Sequence, residues 1–135
     1  MATELYPQYR MRLTRQLQRI REAPAICQAN KDSMLEFLTR LEAGGISEAQ
    51  QLSYITRLYP IAQLLGDVPF VHASRQQMEH VFAIWRKSKR DGSEYKQTSV
   101  NKTVGCIKCF FRWIHGLSSE DAAPESVRWI RKDHV

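Results

Sequence analysis

Apolar residues recur at three- and four-residue intervals along almost the whole chain, and no run alternates strictly between apolar and polar as a half-buried strand does. The pattern predicts an all-α protein. A first amphipathic helix, about residues 7–22, places Tyr9, Leu13, Leu17 and Ile20 on one side with arginines over the rest, and Pro24 closes it. A second is expected to begin near Asn30, whose side chain would cap the free N–H groups. Met34, Leu35, Phe37, Leu38 and Leu41 give it an apolar stripe, and Gly44-Gly45 ends it. Ser47 then caps a helix reaching Leu65, with Leu52, Ile55, Tyr59 and Ala62 inward and Gln50, Ser53 and Arg57 outward. Pro60 removes a backbone hydrogen bond from this helix and predicts a bend.

A loop over residues 66–71, containing Pro69, leads to a helix capped by Ser74 that turns Met78, Val81, Phe82 and Trp85 inward. It runs into the basic stretch Arg86-Lys87-Ser88-Lys89-Arg90 and the turn at Asp91-Gly92. The last long helix is expected from Glu94 or Gln97 to His115, with Val100, Val104, Ile107, Phe111 and Ile114 along one stripe. Its first half has a polar far side of Thr98, Asn101, Lys102 and Gly105. Its second half is apolar nearly all round, adding Cys106, Cys109, Phe110 and Trp113. A helix apolar on every side is normally buried on every side, so the second half is expected at the centre of a bundle. The first half is expected to protrude toward a partner. Gly116 stops the helix, and a short segment over residues 124–132 follows.

The 135 residues suffice for one ordinary domain, and with few prolines and glycines the chain is expected to be folded nearly throughout. The expected divisions are a basic N-terminal helix over 1–24, a helical bundle over 25–116 and a linker over 117–135. No stretch approaches the roughly 18 apolar residues of a membrane span, and the N-terminus lacks a signal-peptide core, which leads to the expectation of a soluble, cytoplasmic protein with no membrane partner. Three cysteines, an odd number, suggest free thiols in a reducing compartment. Cys106 and Cys109 form a C-x-x-C, but only His115 is near as a third ligand. They are read as buried or half-buried thiols, and neither a metal nor another cofactor is expected.

The net charge of +6 suits a polyanionic partner, and its distribution sharpens that reading. Arg10, Arg12, Arg15, Arg19 and Arg21 crowd the first helix. Residues 74–112 hold nine basic groups against Glu79, Asp91 and Glu94. The stretch between is net acidic. Lysine and arginine neutralise phosphates, while glutamine, asparagine and threonine reach base edges.

Several local patterns in fixed order resemble the core-binding domain of tyrosine recombinases, the SAM-like helical domain of phage-type integrases, with archaeal members most alike. They are Leu17-Gln18-Arg19-Ile20-Arg21-Glu22-Ala23 followed by Asn30-Lys31 and Leu35-Glu36-Phe37-Leu38; Gly45-Ile46-Ser47-Glu48-Ala49 followed by Tyr54, Leu58 and Leu65; Ile107-Lys108-Cys109-Phe110-Phe111-Arg112-Trp113-Ile114-His115-Gly116; and Pro124-Glu125-Ser126-Val127-Arg128-Trp129-Ile130-Arg131. Gln50, Pro60 and Cys27 depart from the family pattern. The resemblance implies a SAM-like bundle of four to five helices that grips duplex DNA as half of a clamp, alongside other recombinase protomers. Carried onto this chain, the DNA-contacting residues would be Gln50, Ser53, Tyr54 and Arg57 on one helix and Lys96, Thr98, Ser99, Asn101 and Lys102 on another. Lys87, Lys89, Arg90 and Arg112 would add charge. The family's catalytic groups lie in a second domain. Here the histidine-x-x-arginine element is missing and no tyrosine follows Tyr95, so this chain is expected to bind without cleaving. The residues 117–135 would lead toward that catalytic domain. A helical protein-interaction module and a stand-alone DNA-binding regulator are the alternatives.

Overall fold

The computed structural model describes residues 7–89 and 91–132, and among these it is all-helical, with no strand. Its elements are α1 (Pro7–Glu22), α2 (Gln28–Ala43), α3 (Glu48–Leu65), a 3-10 turn (Phe70–His72), α4 (Arg75–Arg86), α5 (Gln97–Ile114) and the short α6 (Glu125–Arg128). The all-α bundle expected from periodicity is present, with five long helices and one short one among the described residues.

The hub is α3, which packs against α1, α2, α4 and α5. Its inward residues Leu52, Ile55, Leu58, Ile61, Ala62 and Leu65 are all buried. Ser47 caps it as expected, its hydroxyl accepting the Gln50 N–H at 3.2 Å. Pro60 lies inside the helix, which continues to Leu65 while the Thr56 carbonyl loses its usual backbone donor. Tyr59, expected inward, is half-buried with the Arg19 guanidinium 4.7 Å above its ring. At the start of α4, Ser74 and Gln77 form a reciprocal capping box.

The core is organised around aromatic rings. Phe110 meets Phe37 edge-on at 5.1 Å and Phe70 at 4.8 Å, and Phe111 packs on Phe70 at 5.8 Å. The second half of α5 therefore sits at the centre, as its all-round apolar character requires. The first half does not protrude: Val100, Thr103 and Val104 are buried, leaving one free face.

Asn30 departs from expectation. Cys27 occupies the N-cap of α2, without a side-chain cap bond, and Asn30 lies inside the helix, almost fully buried. Its amide donates to the Val68 carbonyl and its carbonyl accepts the Phe70 N–H, each at 2.9 Å. The side chain thus satisfies the backbone of the loop before the 3-10 turn rather than a helix end.

The segment after α5 is docked. Ala123, Val127 and Ile130 join the core, and Trp129 packs edge-on to Phe82 of α4 at 6.1 Å. The core also takes in Leu13 and Ile20 of α1, so all six helices share it. Among the described residues no helix is long and apolar enough to cross a membrane.

Candidate nucleic-acid interface

Outward residues of α3 and the free face of α5 meet along a seam. Seven residues line a concavity of about 420 Å³ there: Gln50, Ser53, Tyr54 and Arg57 from α3, and Lys102, Gly105 and Cys106 from α5. A second concavity, about 390 Å³, opens on the other side of Arg57. It reaches Tyr9 and Arg12 of α1, the stacked pair Trp85 and Tyr95, and the polar groups of Ser99 and Thr103. Among the described residues no carboxylate lines either one.

Arg57 divides the two. Its Nη1 donates to the Ser99 carbonyl at 3.2 Å and to the Thr103 hydroxyl at 3.0 Å, which fastens the guanidinium across the seam. Both acceptors are neutral. Arg57 is only half-exposed, and among the described residues it has no ion pair. A partly desolvated cation held by neutral acceptors leaves a local positive potential facing the groove.

The floor is less polar than the rim. Tyr54 Oη donates to Cys109 Sγ at 3.8 Å, and Cys106 Sγ donates to the Tyr54 carbonyl at 3.5 Å. Burial first, then the neighbouring Cys109 and Cys106, push the Tyr54 phenol up to about 12, with the Gln50 side chain pulling the other way. Burial also pushes the Cys106 thiol well up, Cys109 adding to it and Arg57 opposing. Both groups are neutral near pH 7, so they do not offset the rim charge. Cys106 is buried and Cys109 half-buried, as read from the C-x-x-C on a helix, and all three cysteines are free. Among the described residues no three His, Cys, Asp or Glu side chains cluster as a metal site.

The remaining sequence-derived residues distribute as follows. Ser99 lines the second concavity. Lys96 is the N-cap residue of α5, and Thr98, the second residue of that helix, is exposed. Asn101 accepts the Gln97 amide at 2.9 Å. Lys87 and Lys89 lie beyond the end of α4 and line neither concavity, and Arg90 lies outside the described residues. Arg112 donates its Nε to the Asp121 carbonyl at 2.9 Å, tying the chain after α5 back to the helix. Thr103 and Arg12 were not anticipated. Thr103 sits on the buried side of α5, where periodicity reads only a polar exception, and Arg12 reaches the site from a different helix.

Comparison with protein-family models, with curated proteins and with solved structures finds no match.

Proposed function

We propose that this domain binds duplex DNA through the seam between α3 and α5, as the DNA-gripping core of a site-specific recombinase. The observation that carries the binding reading is Arg57: a half-buried guanidinium, fixed by two neutral acceptors, between two concavities that no carboxylate among the described residues lines. Such a group fits a phosphate, which would supply the missing negative charge and accept charge-assisted hydrogen bonds. Lys102 stands beside it on the same rim, and Gln50 and Ser53 offer the short polar groups that reach base edges.

The recombinase assignment rests on the ordered sequence patterns, and with it goes binding without strand cleavage. The test is titration with duplex DNA at two salt concentrations. Affinity is expected to fall steeply as salt rises, because each neutralised phosphate releases counterions. Salt-insensitive binding, or none at low salt, would overturn the DNA reading. Denaturing gels of the same mixtures are expected to show neither nicks nor a covalent adduct; an adduct would mean that this chain carries a nucleophile.

A further inference from the structure

The outer stripe of α5 runs through Asn101, Gly105, Lys108 and Arg112, spaced by four, three and four residues and therefore on one face. Gly105 sits mid-helix, where glycine is unfavourable. Its surroundings give a reason: a Cβ there would lie 3.2 Å from the Lys132 ammonium nitrogen and 3.4 Å from its Cε. The missing side chain lets Lys132, from the segment after α6, lie against the helix at the edge of the first concavity, which Gly105 also lines.

One turn further along stands Lys108, half-buried. Burial is the first cause holding its ammonium below the ordinary lysine range, and Arg112, Lys132 and Arg131 follow, all cations. Two carboxylates at the margins are engaged elsewhere. Glu79, which shares a concavity with Arg131, pairs with Arg75 at 3.6 Å, and Asp121 accepts the Ser118 N–H at 2.7 Å. Folding has gathered like charges from α5 and from the C-terminal segment with no ion pair to any of them among the described residues, an arrangement that an external anion would relieve.

We infer that Lys108 and Lys132, brought together beside Gly105, form a second phosphate-contacting site that carries the DNA interface from the α3–α5 seam onto the C-terminal segment. The inference rests on the duplex-binding reading and adds to it. The backbone of the duplex is followed along α5 for nearly two further turns beyond Lys102, as far as Lys108, and residues after α6 become part of the contact surface.

The experiment measures binding of a duplex DNA of about 30 base pairs across a salt series, using the full chain and the variants Lys108→Gln, Lys132→Gln, Arg57→Ala and Arg40→Gln. Arg40 is exposed on α2 and lines none of these concavities, so it controls for a general loss of charge. Thermal melts of each variant report on folding. Lys108→Gln and Lys132→Gln are each expected to weaken binding roughly five- to tenfold near ~0.1 M salt and to lower the salt slope by about one unit. Arg40→Gln is expected to leave the slope unchanged. If the two lysine variants bind as the parent does while Arg57→Ala weakens binding, the second site is wrong and the seam stands. Equal losses from Arg40→Gln and the lysine variants would also overturn it, since general charge would then explain the effect. If the parent shows no salt-dependent binding, the duplex reading fails and the second site with it.

Discussion

Arg57 of α3 donates its Nη1 to the hydroxyl of Thr103 of α5 at 3.0 Å, and Thr103 is fully buried. The bond crosses the seam at the point where the two concavities meet, so one contact both joins the helices and fixes where a positive charge stands. Thr103→Val keeps the shape and removes the acceptor. It is expected to cost the fold about 1 kcal/mol and to weaken duplex binding by releasing the guanidinium. Arg57→Ala is expected to weaken binding further and to lower the salt slope by about one unit. Melts and titrations on both variants check this; unchanged binding by Thr103→Val would show that its hydroxyl does not position Arg57 for a ligand.

Lys102 and Phe111 lie on opposite sides of α5 and separate binding from folding. Lys102 is exposed at the rim of the first concavity, whereas Phe111 is fully buried against Phe70 and Phe110. Lys102→Ala is expected to reduce affinity and flatten the salt slope by about one unit while melting like the parent. Phe111→Ala is expected to destabilise the fold by about 3 to 5 kcal/mol, since the bundle only partly closes around a lost ring. A Lys102→Ala variant that binds normally but melts several degrees lower would place Lys102 in the packing rather than at the interface.

What the sequence revealed and what it withheld follow from the range of each interaction. Helix limits were legible because periodicity and caps are local. The Pro7–Glu22 helix, the Ser47 and Ser74 caps and the buried centre at Phe110 and Phe111 all appear as read. Gln50, Ser53, Arg57 and Lys102 were legible as two polar helix faces, since each face is visible on its own helix, whereas Tyr54 entered only through the family resemblance. Contacts between distant segments were not. Asn30 looks like a cap because its real partners are Val68 and Phe70, far along the chain, and Lys132 gives no local sign that it will reach Gly105.

The Asn30 contact makes a prediction of its own. Asn30→Ala leaves the buried Phe70 N–H and the Val68 carbonyl without their partner and is expected to cost about 2 to 4 kcal/mol. Asn30→Asp keeps an acceptor for Phe70 but sets a carboxylate oxygen against the Val68 carbonyl. Burial and that contact favour its protonated form, so the variant's stability relative to the parent should rise as pH falls. Chemical denaturation at pH values on both sides of the carboxylate range checks it. Equal destabilisation at all pH values would mean that the aspartate has turned out to solvent.

Alkaline stability should report on the floor of the seam. Tyr54 and Cys106 are both raised above their ordinary values, chiefly by burial, so the fold favours their neutral forms. That contribution is fully present below the unfolded values of 10.0 for the phenol and 9.0 for the thiol, and is lost as pH rises toward the folded ones. Lys108 acts in the opposite sense: its lowered value disfavours the charged form, so its own contribution improves as pH climbs toward the ordinary lysine range. Variants separate the two. Tyr54→Phe removes the ionisable phenol while keeping the edge-on ring contact with Phe37 at 5.6 Å, and Cys106→Ala removes the thiol. Each is expected to lose less stability than the parent between about pH 9 and 12, while Lys108→Gln is expected to lose more. Thermal melts in buffers stepped through that range decide it. Tyr54→Phe and parent curves that fall in parallel would show that the phenol ionises as readily in the fold as in the unfolded chain, and that the seam floor is open to water.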